Sequence, residues 1–325
     1  MRVWLLTDDR AGNINQVLGV AEALGCPFER KEMRYDKWIR LPNFLRGSTL
    51  TGLDDVSKER IKAPWPDLVI GAGRRIFPVA LYIKKQNPSC KIVQLMNPGK
   101  AGFSKADLVV IPAHDKGIGN RKNILRVQGA PHRITPEKLA LEKEKWMPFF
   151  EKYASPRVSV IIGGTTKNGS FSEKMAQRLI EGLLSLDAGS FLITTSRRTP
   201  PDVIRLFKER LPKEKTYLYE FGQGEENPYF GLLACADKVV VTGDSMSMCS
   251  EACAAGVPVF IFAPKGMFDE KHERLHSALY RGGYATELSS GQVAFGGRLN
   301  ASKIVAEKIK DLFKGEQTEI YPPRK

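Results

Sequence analysis

Glycines, hydroxyls and cations follow three short apolar runs in the second half of the chain. Glycine exposes backbone N–H groups that can bind an anion, and guanidinium groups bind phosphate oxygens in pairs. The carboxyl ends of parallel strands are where sheets of this kind hold ligands. The pattern therefore predicts a phosphate site, although its spacing is not that of a Walker A loop. Its members are Gly163, Gly164, Thr165, Lys167, Arg197, Arg198, Asp244, Ser245 and Ser247.

An acid lies on the otherwise apolar helix predicted over residues 247–255, which ends at Gly256. Glu251 could accept a hydrogen bond from a ribose hydroxyl. The alternative is a glutamate on a solvated helix face, which is the usual environment of this residue.

Two neighbouring carboxylates, Asp8 and Asp9, end the predicted first strand, Val3–Thr7. A carboxylate at this position could deprotonate an acceptor hydroxyl as a general base. Arg10 is expected to keep it ionised through its opposite charge. The structural alternative is that one aspartate caps the helix that begins near Asn13.

His272-Glu273-Arg274-Leu275-His276 matches the H-E-x-x-H pattern of zinc hydrolases. Histidines at i and i+4 share a helix face and can bind Zn²⁺, with the glutamate as general base. Lys271 and Arg274 place positive charge beside the histidines, and no HxxGxxH continuation follows. We therefore expect no metal site and rank a zinc hydrolase third among the functions.

Strands and helices alternate along the whole chain of 325 residues. This alternation predicts an α/β protein with two doubly wound, Rossmann-like domains that face a cleft. We place the acceptor-side domain at residues 1–154 and the donor domain at 155–298. A final helix within 299–325 would pack back on the first domain.

The formal net charge of +14 favours an anionic partner, such as nucleic acid, an anionic membrane surface or a phosphorylated substrate. No nucleic-acid module is apparent, so nucleic acid is not an expected partner. The segment 30–46 mixes cations with aromatic and aliphatic residues, which suits a loop or short helix on an anionic membrane surface or, equally, a surface connection. The five cysteines form no CxxC pair, and no run approaches the ~20 apolar residues of a membrane span. We expect a cytoplasmic protein, either free or peripheral on the inner face of the membrane, and leave its oligomeric state open.

A motif around Glu251 resembles a known family. Ser250-Glu251-Ala252-x-x-Ala255-Gly256-Val257-Pro258 is similar to the donor-binding motif of GT-B glycosyltransferases, most of all the enzymes that form lipid II. The whole chain resembles bacterial relatives of the plant mitochondrial-fission ("elongated mitochondria") family, which share this architecture. The resemblance implies that Tyr229 lies where the nucleotide base is held. Its implied substrate-side residues are Gly12, Asn13, Arg74, Arg75, Asn97, His272 and Arg274.

One departure from the lipid II-forming enzymes concerns the catalytic base. Those enzymes have a histidine at the position of Asn13, and an asparagine cannot take a proton at neutral pH. We therefore predict a metal-independent transferase with Asp8 or Asp9 as base, a nucleotide-diphosphate sugar as donor and no cofactor. The expected acceptor is a cell-envelope glycolipid precursor. The plant relatives imply an alternative, a non-catalytic protein that recruits a fission partner.

Overall fold

The computed structural model describes residues 1–99, 102–166, 169, 171–224, 226–264, 268–293 and 295–314. These residues form two compact units. Unit 1 comprises residues 1–133 and the chain from Asn300, and unit 2 comprises Ile134–Leu299. The division thus falls about 20 residues before the sequence-based boundary at 154/155, because the helix over 136–150 belongs to unit 2.

Unit 1 contains a six-stranded sheet whose strands are all parallel. Its strands are β1 (Val3–Thr7), β2 (Phe28–Glu32), β3 (Leu68–Ala72), β4 (Lys91–Leu95), β5 (Leu108–Pro112) and β6 (Ile124–Val127), in the order β2-β1-β3-β4-β5-β6. Its helices are α1 (Ala11–Leu24), α2 (Asn43–Arg46), α3 (Asp55–Glu59), α4 (Phe77–Gln86) and α11 (Ala301–Lys314).

Unit 2 repeats the arrangement with a second six-stranded parallel sheet. Its strands are β7 (Arg157–Ile161), β8 (Ser190–Thr194), β9 (Thr216–Tyr219), β10 (Lys238–Thr242), β11 (Val259–Phe262) and β12 (Thr286–Glu287), in the order β12-β11-β10-β7-β8-β9. Its helices are α5 (Pro136–Phe150), α6 (Glu173–Leu184), α7 (Pro201–Arg210), α8 (Tyr229–Ala234), α9 (Met246–Ala252) and α10 (Glu270–Arg281).

The strands at the centre of each sheet are almost entirely buried. β1, β3 and β5 have no exposed residue, and neither do β8, β10 and β11. Such continuous apolar runs are typical of parallel sheets covered by helices on both faces. The prediction of two doubly wound α/β domains is therefore confirmed.

The last helix packs on the first. Val305, Ala306 and Ile309 of α11 lie in the same buried cluster as Val17 and Val20 of α1. The Ser302 hydroxyl adds a polar link, because it donates to the backbone carbonyl of His132 at 2.6 Å. The chain thus returns to unit 1 after completing unit 2.

The basic segment between residues 30 and 46 contains more regular structure than its composition suggests. Its first residues complete β2, a parallel edge strand, although the sequence favours a loop or a short helix. A 3₁₀ helix over Lys37–Arg40 and the short α2 follow. Among the residues described, no helix combines the length and apolar character needed to cross a membrane.

Candidate functional site

Asp244 is the centre of a buried network at the carboxyl edge of the unit 2 sheet. Its side chain is on the loop after β10 and only 4% of the residue is exposed. Oδ2 accepts from Arg198 Nη2 at 2.7 Å and from the Gly164 N–H at 3.0 Å. Oδ1 accepts from the Thr242 hydroxyl at 2.6 Å. The loops after β7, β8 and β10 are thus tied together around one carboxylate.

The two glycines of this edge allow the loops to pack closely. A Cβ on Gly163 would lie 2.1 Å from Asp244 Oδ1, and one on Gly164 would lie 2.0 Å from the Arg198 carbonyl oxygen. Their N–H groups donate to the Thr242 hydroxyl and to Asp244. This differs from the expected anion cradle, because both N–H groups are engaged within the protein. Glycine is required at both positions because any larger residue would overlap the neighbouring loops.

The adjacent arginines have different roles in the structure. Arg198 is anchored by Asp244, and its Nη1 also donates to the Thr165 carbonyl at 3.4 Å. Arg197 is exposed, and among the described residues it forms no ion pair. The loop after β8 is held against the loop after β7, because the Ser196 hydroxyl donates to the Gly163 carbonyl at 2.8 Å. Arg197 therefore remains available to an anion. Lys167 lies outside the described residues.

Glu251 is buried, so the solvated-face alternative is wrong. Only 4% of the residue is exposed, and the Tyr229 hydroxyl donates to its Oε2 at 2.5 Å. Burial and the nearby carboxylate raise the pKa of Tyr229 well above its usual value, so the hydroxyl keeps its proton. The hydrogen bond between Tyr229 and Glu251 thus joins α8 to α9.

The first turn of α9 contains the remaining hydroxyls of the predicted site. Ser245 is the N-cap of the helix, and its hydroxyl accepts from the Met248 N–H at 3.4 Å. Ser247 is half-buried in the first turn. The helix ends at Ala252, three residues before the predicted end, although Gly256 does adopt the left-handed conformation with φ of 84°.

The two histidines of the H-E-x-x-H pattern each have a ring nitrogen engaged within the protein. His276 is buried and its Nε2 donates to the Gly243 carbonyl at 2.9 Å. His272 Nδ1 lies 2.7 Å from Asp269 Oδ1, and Arg274 pairs with Glu270. Burial lowers the pKa of His276 to about 4, so its imidazole is neutral near pH 7. In the parts of the chain that the structure describes, no three His, Cys, Asp or Glu side chains could share a metal ion.

The predicted base residues lie in unit 1 in contrasting environments. Asp8 is 2% exposed, whereas Asp9 is exposed. Both carboxylate oxygens of Asp8 accept from Asn13 Nδ2 at 3.2 Å, and Oδ1 also accepts from the Arg10 N–H. Burial raises the pKa of Asp8, and this effect exceeds the opposing charge of Arg10. Helix α1 begins at Ala11 and has no side-chain cap.

The other substrate-side residues of unit 1 lie at the carboxyl ends of its strands. Arg74 and Arg75 follow β3, and the Arg75 guanidinium lies 5.7 Å from the centre of the Tyr35 ring. Asn97 follows β4 and its Oδ1 accepts from the Gly99 N–H at 2.8 Å. Gly12 is in the first turn of α1.

Two residues at these edges were missed by the sequence argument. Thr242 is the last residue of β10, where its hydroxyl links Gly163 to Asp244. Asn43 of α2 donates to the carbonyls of Arg74 at 2.7 Å and Pro98 at 3.2 Å. A polar residue that ends an apolar strand is a usable signal for the first. No local pattern indicates the second.

The fold places the chain in a known class. Two Rossmann-like units with parallel sheets are the architecture called the GT-B fold. A putative UDP-N-acetylglucosamine 2-epimerase from Listeria monocytogenes has this fold, with a TM-score of 0.58 and 14% identity over 99% of this chain and 98% of that one. The glycosyltransferase SnogD from Streptomyces nogalater aligns with a TM-score of 0.51 and 16% identity, over 99% and 96% of the chains.

The chain belongs to the family described as mitochondrial fission ELM1, whose sequence model matches residues 11–313. It is 30% identical over 311 residues to the uncharacterized protein RP120 of Rickettsia prowazekii, covering 84% of this chain and 86% of the relative. It is also 31% identical over 235 residues to the mitochondrial fission protein ELM1 of Arabidopsis thaliana, covering 65% of this chain and 54% of that protein. The resemblance seen in the sequence is confirmed.

Proposed function

We propose that the protein is a glycosyltransferase that binds a nucleotide-diphosphate sugar through unit 2 and needs no metal ion. The observation that carries the proposal is the carboxyl edge of the unit 2 sheet, where Asp244 joins three loops and leaves Arg197 exposed. Asp244 is the only acid within residues 162–172, 195–200 and 243–245. Cations therefore outnumber acids at this edge, which favours a diphosphate.

The proposed donor site divides into a phosphate part and a nucleoside part. Arg197 and Arg198 bind the diphosphate, with Ser245 and Ser247 as hydroxyl donors. Fixed cations stabilise the charge that develops on the leaving group, and the sequence has no Asp-x-Asp at a strand end that would suggest a metal clamp. Glu251 accepts from the ribose, and the Tyr229 hydroxyl orients its carboxylate.

In the proposed reaction the acceptor hydroxyl oxygen bonds to the anomeric carbon of the sugar as the bond to the diphosphate breaks. The hydroxyl proton passes to a carboxylate, Asp8 or Asp9. The burial and raised pKa of Asp8 favour it, because bases shifted toward neutral pH are typical of active sites. Arg74, Arg75, Asn97, His272 and Arg274 are proposed substrate-side residues. The proposed acceptor is a glycolipid precursor of the cell envelope at an anionic membrane surface.

A second candidate is a non-catalytic binding protein on the same fold. Two observations favour it: the N–H groups of Gly163 and Gly164 are already engaged, and the Arabidopsis relative is described as a mitochondrial fission protein. In this alternative the network around Asp244 serves stability alone. Nucleotide binding separates the two candidates.

The test is a melting-temperature panel with UDP, ADP, GDP and CDP in the presence of EDTA. A ligand at 100 times its Kd stabilises the native state by about 2.7 kcal/mol, which is a visible shift. Arg197→Ala should weaken binding about tenfold, which corresponds to the loss of one charge-assisted contact. Arg210→Ala is the matched control, since Arg210 is exposed at the far end of α7. If no nucleotide at millimolar concentration shifts the melting temperature, the donor assignment fails.

A further inference from the structure

A pocket of about 330 Å³ lies within unit 1, beside the carboxyl ends of β3 and β4. Its size is at the lower end of the range for small-molecule sites. Phe77, Pro78 and Leu81 of α4 form one apolar wall, and Pro98 after β4 forms another. The pocket therefore offers apolar surface to a ligand at the sheet edge where α/β proteins bind substrates.

Two cations complete this pocket. Arg74 and Lys105 belong to its lining, both are exposed, and within the described part of the chain neither forms an ion pair. None of the lining residues that the structure describes is acidic. The first turn of α4 also faces the pocket, and the positive end of the helix dipole favours an anion there. The apolar walls and these two cations together match a ligand that is apolar at one end and anionic at the other.

The remaining wall comes from the end of the basic segment of unit 1 and the glycine that follows it. Pro42, Asn43 and Gly47 line the pocket, and the hydrogen bonds of Asn43 to Arg74 and Pro98 fix this wall to the strand ends. The same segment exposes 51% of Trp38 and 63% of Leu45. Exposed aromatic and aliphatic side chains beside cations are typical of segments that rest on an anionic bilayer. The pocket thus lies next to a surface whose composition suits contact with a lipid bilayer.

We propose that this pocket binds the acyl chain and phosphate head of an anionic lipid presented by a bilayer. The chain lies against Phe77 and Leu81, and the phosphate lies between Arg74 and Lys105. The proposal identifies the acceptor of the proposed function as a lipid with a phosphate head group. It rests on that function only in calling the ligand an acceptor. Binding itself can be measured without any sugar donor.

The first experiment uses soluble probes on the full chain by calorimetry. Octyl phosphate should bind saturably and at least tenfold more tightly than octyl glucoside or inorganic phosphate, because only it satisfies both the apolar wall and the cations. The double variant Arg74→Glu with Lys105→Glu should lose at least tenfold in affinity. Lys85→Glu with Lys122→Glu changes the same charge at two exposed lysines of unit 1 outside the pocket and should bind as the wild type does. Equal binding of the three probes, or equal losses in the two double variants, would overturn the proposal.

A second experiment separates a bilayer from a free ligand as the source. The protein should co-sediment with vesicles of phosphatidylcholine and phosphatidic acid, and it should not co-sediment with vesicles of phosphatidylcholine alone. Trp38→Ser with Leu45→Ser should reduce vesicle binding while octyl phosphate still binds. If this variant sediments as the wild type does, the bilayer part is wrong. Nucleotide binding distinguishes the two hypotheses: UDP should bind the Arg74→Glu, Lys105→Glu protein normally, and a protein that binds octyl phosphate but no nucleotide would refute only the donor assignment.

Discussion

Asp244→Ala is expected to destabilise unit 2 strongly, because the carboxylate is the shared acceptor of three loops. The substitution removes the acceptor of the Thr242 hydroxyl and of the Gly164 N–H, which are both buried. It also removes the partner of Arg198, whose side chain is 39% exposed and can regain water. The two kinds of loss differ in size and must be estimated separately.

Each buried donor left without an acceptor costs about 1 kcal/mol or more. The Arg198 pair adds about 1 kcal/mol, since partial exposure screens it. The free energy of unfolding should therefore fall by about 3 kcal/mol. For a unit of this size the melting temperature should fall by roughly 10 °C. Asp244→Asn keeps the shape and one carbonyl acceptor, so we expect about half of this loss.

The assay is urea unfolding monitored by circular dichroism. The curves are analysed as two transitions if the two units unfold separately. Asp187→Ala is the matched control, because its side chain is 89% exposed and lies 3.9 Å from Lys238 Nζ. That change should alter stability by less than about 0.5 kcal/mol. If Asp244→Ala and Asp187→Ala differ by less than 1 kcal/mol, the network around Asp244 does not hold the loops together.

The remaining predictions concern titrating groups. Burial lowers the pKa of His276 from 6.5 to about 4 in the folded protein. As the pH drops from 6.5 to 4, the unfolded chain therefore binds a proton that the folded protein does not. The free energy of unfolding should fall by up to about 3 kcal/mol over this range. His276→Gln should remove that part of the pH dependence, and parallel unfolding curves for variant and wild type would contradict it. For Asp8, burial raises the pKa and favours the protonated acid, so its ionisation at neutral pH opposes folding and Asp8→Asn should not lower the melting temperature. Turnover should fall about 100-fold in Asp8→Asn and stay normal in Asp9→Asn, whereas equal turnover in both variants would place the base elsewhere.

The central strands could be predicted from the sequence alone. Runs such as Val239–Val241 are buried on both faces, so their apolar character is continuous and needs no tertiary information to read. Their alternation with helices is sufficient for the fold class. Edge strands are different: β2 has the sequence Phe-Glu-Arg-Lys-Glu and is a strand because it pairs with β1. β6 is likewise an edge strand that only its pairing with β5 defines.

The candidate site shows the same division at the level of single groups. The sequence determined which residue types reach the carboxyl edge of the sheet, because that edge follows from the order of strands and loops. It could not determine what each group contacts. Asp244 binds Gly164 across 80 positions and Arg198 across 46. Contacts over such separations depend on strand order and loop packing, so only the tertiary structure decided that the glycine N–H groups are engaged and that Arg197 is available.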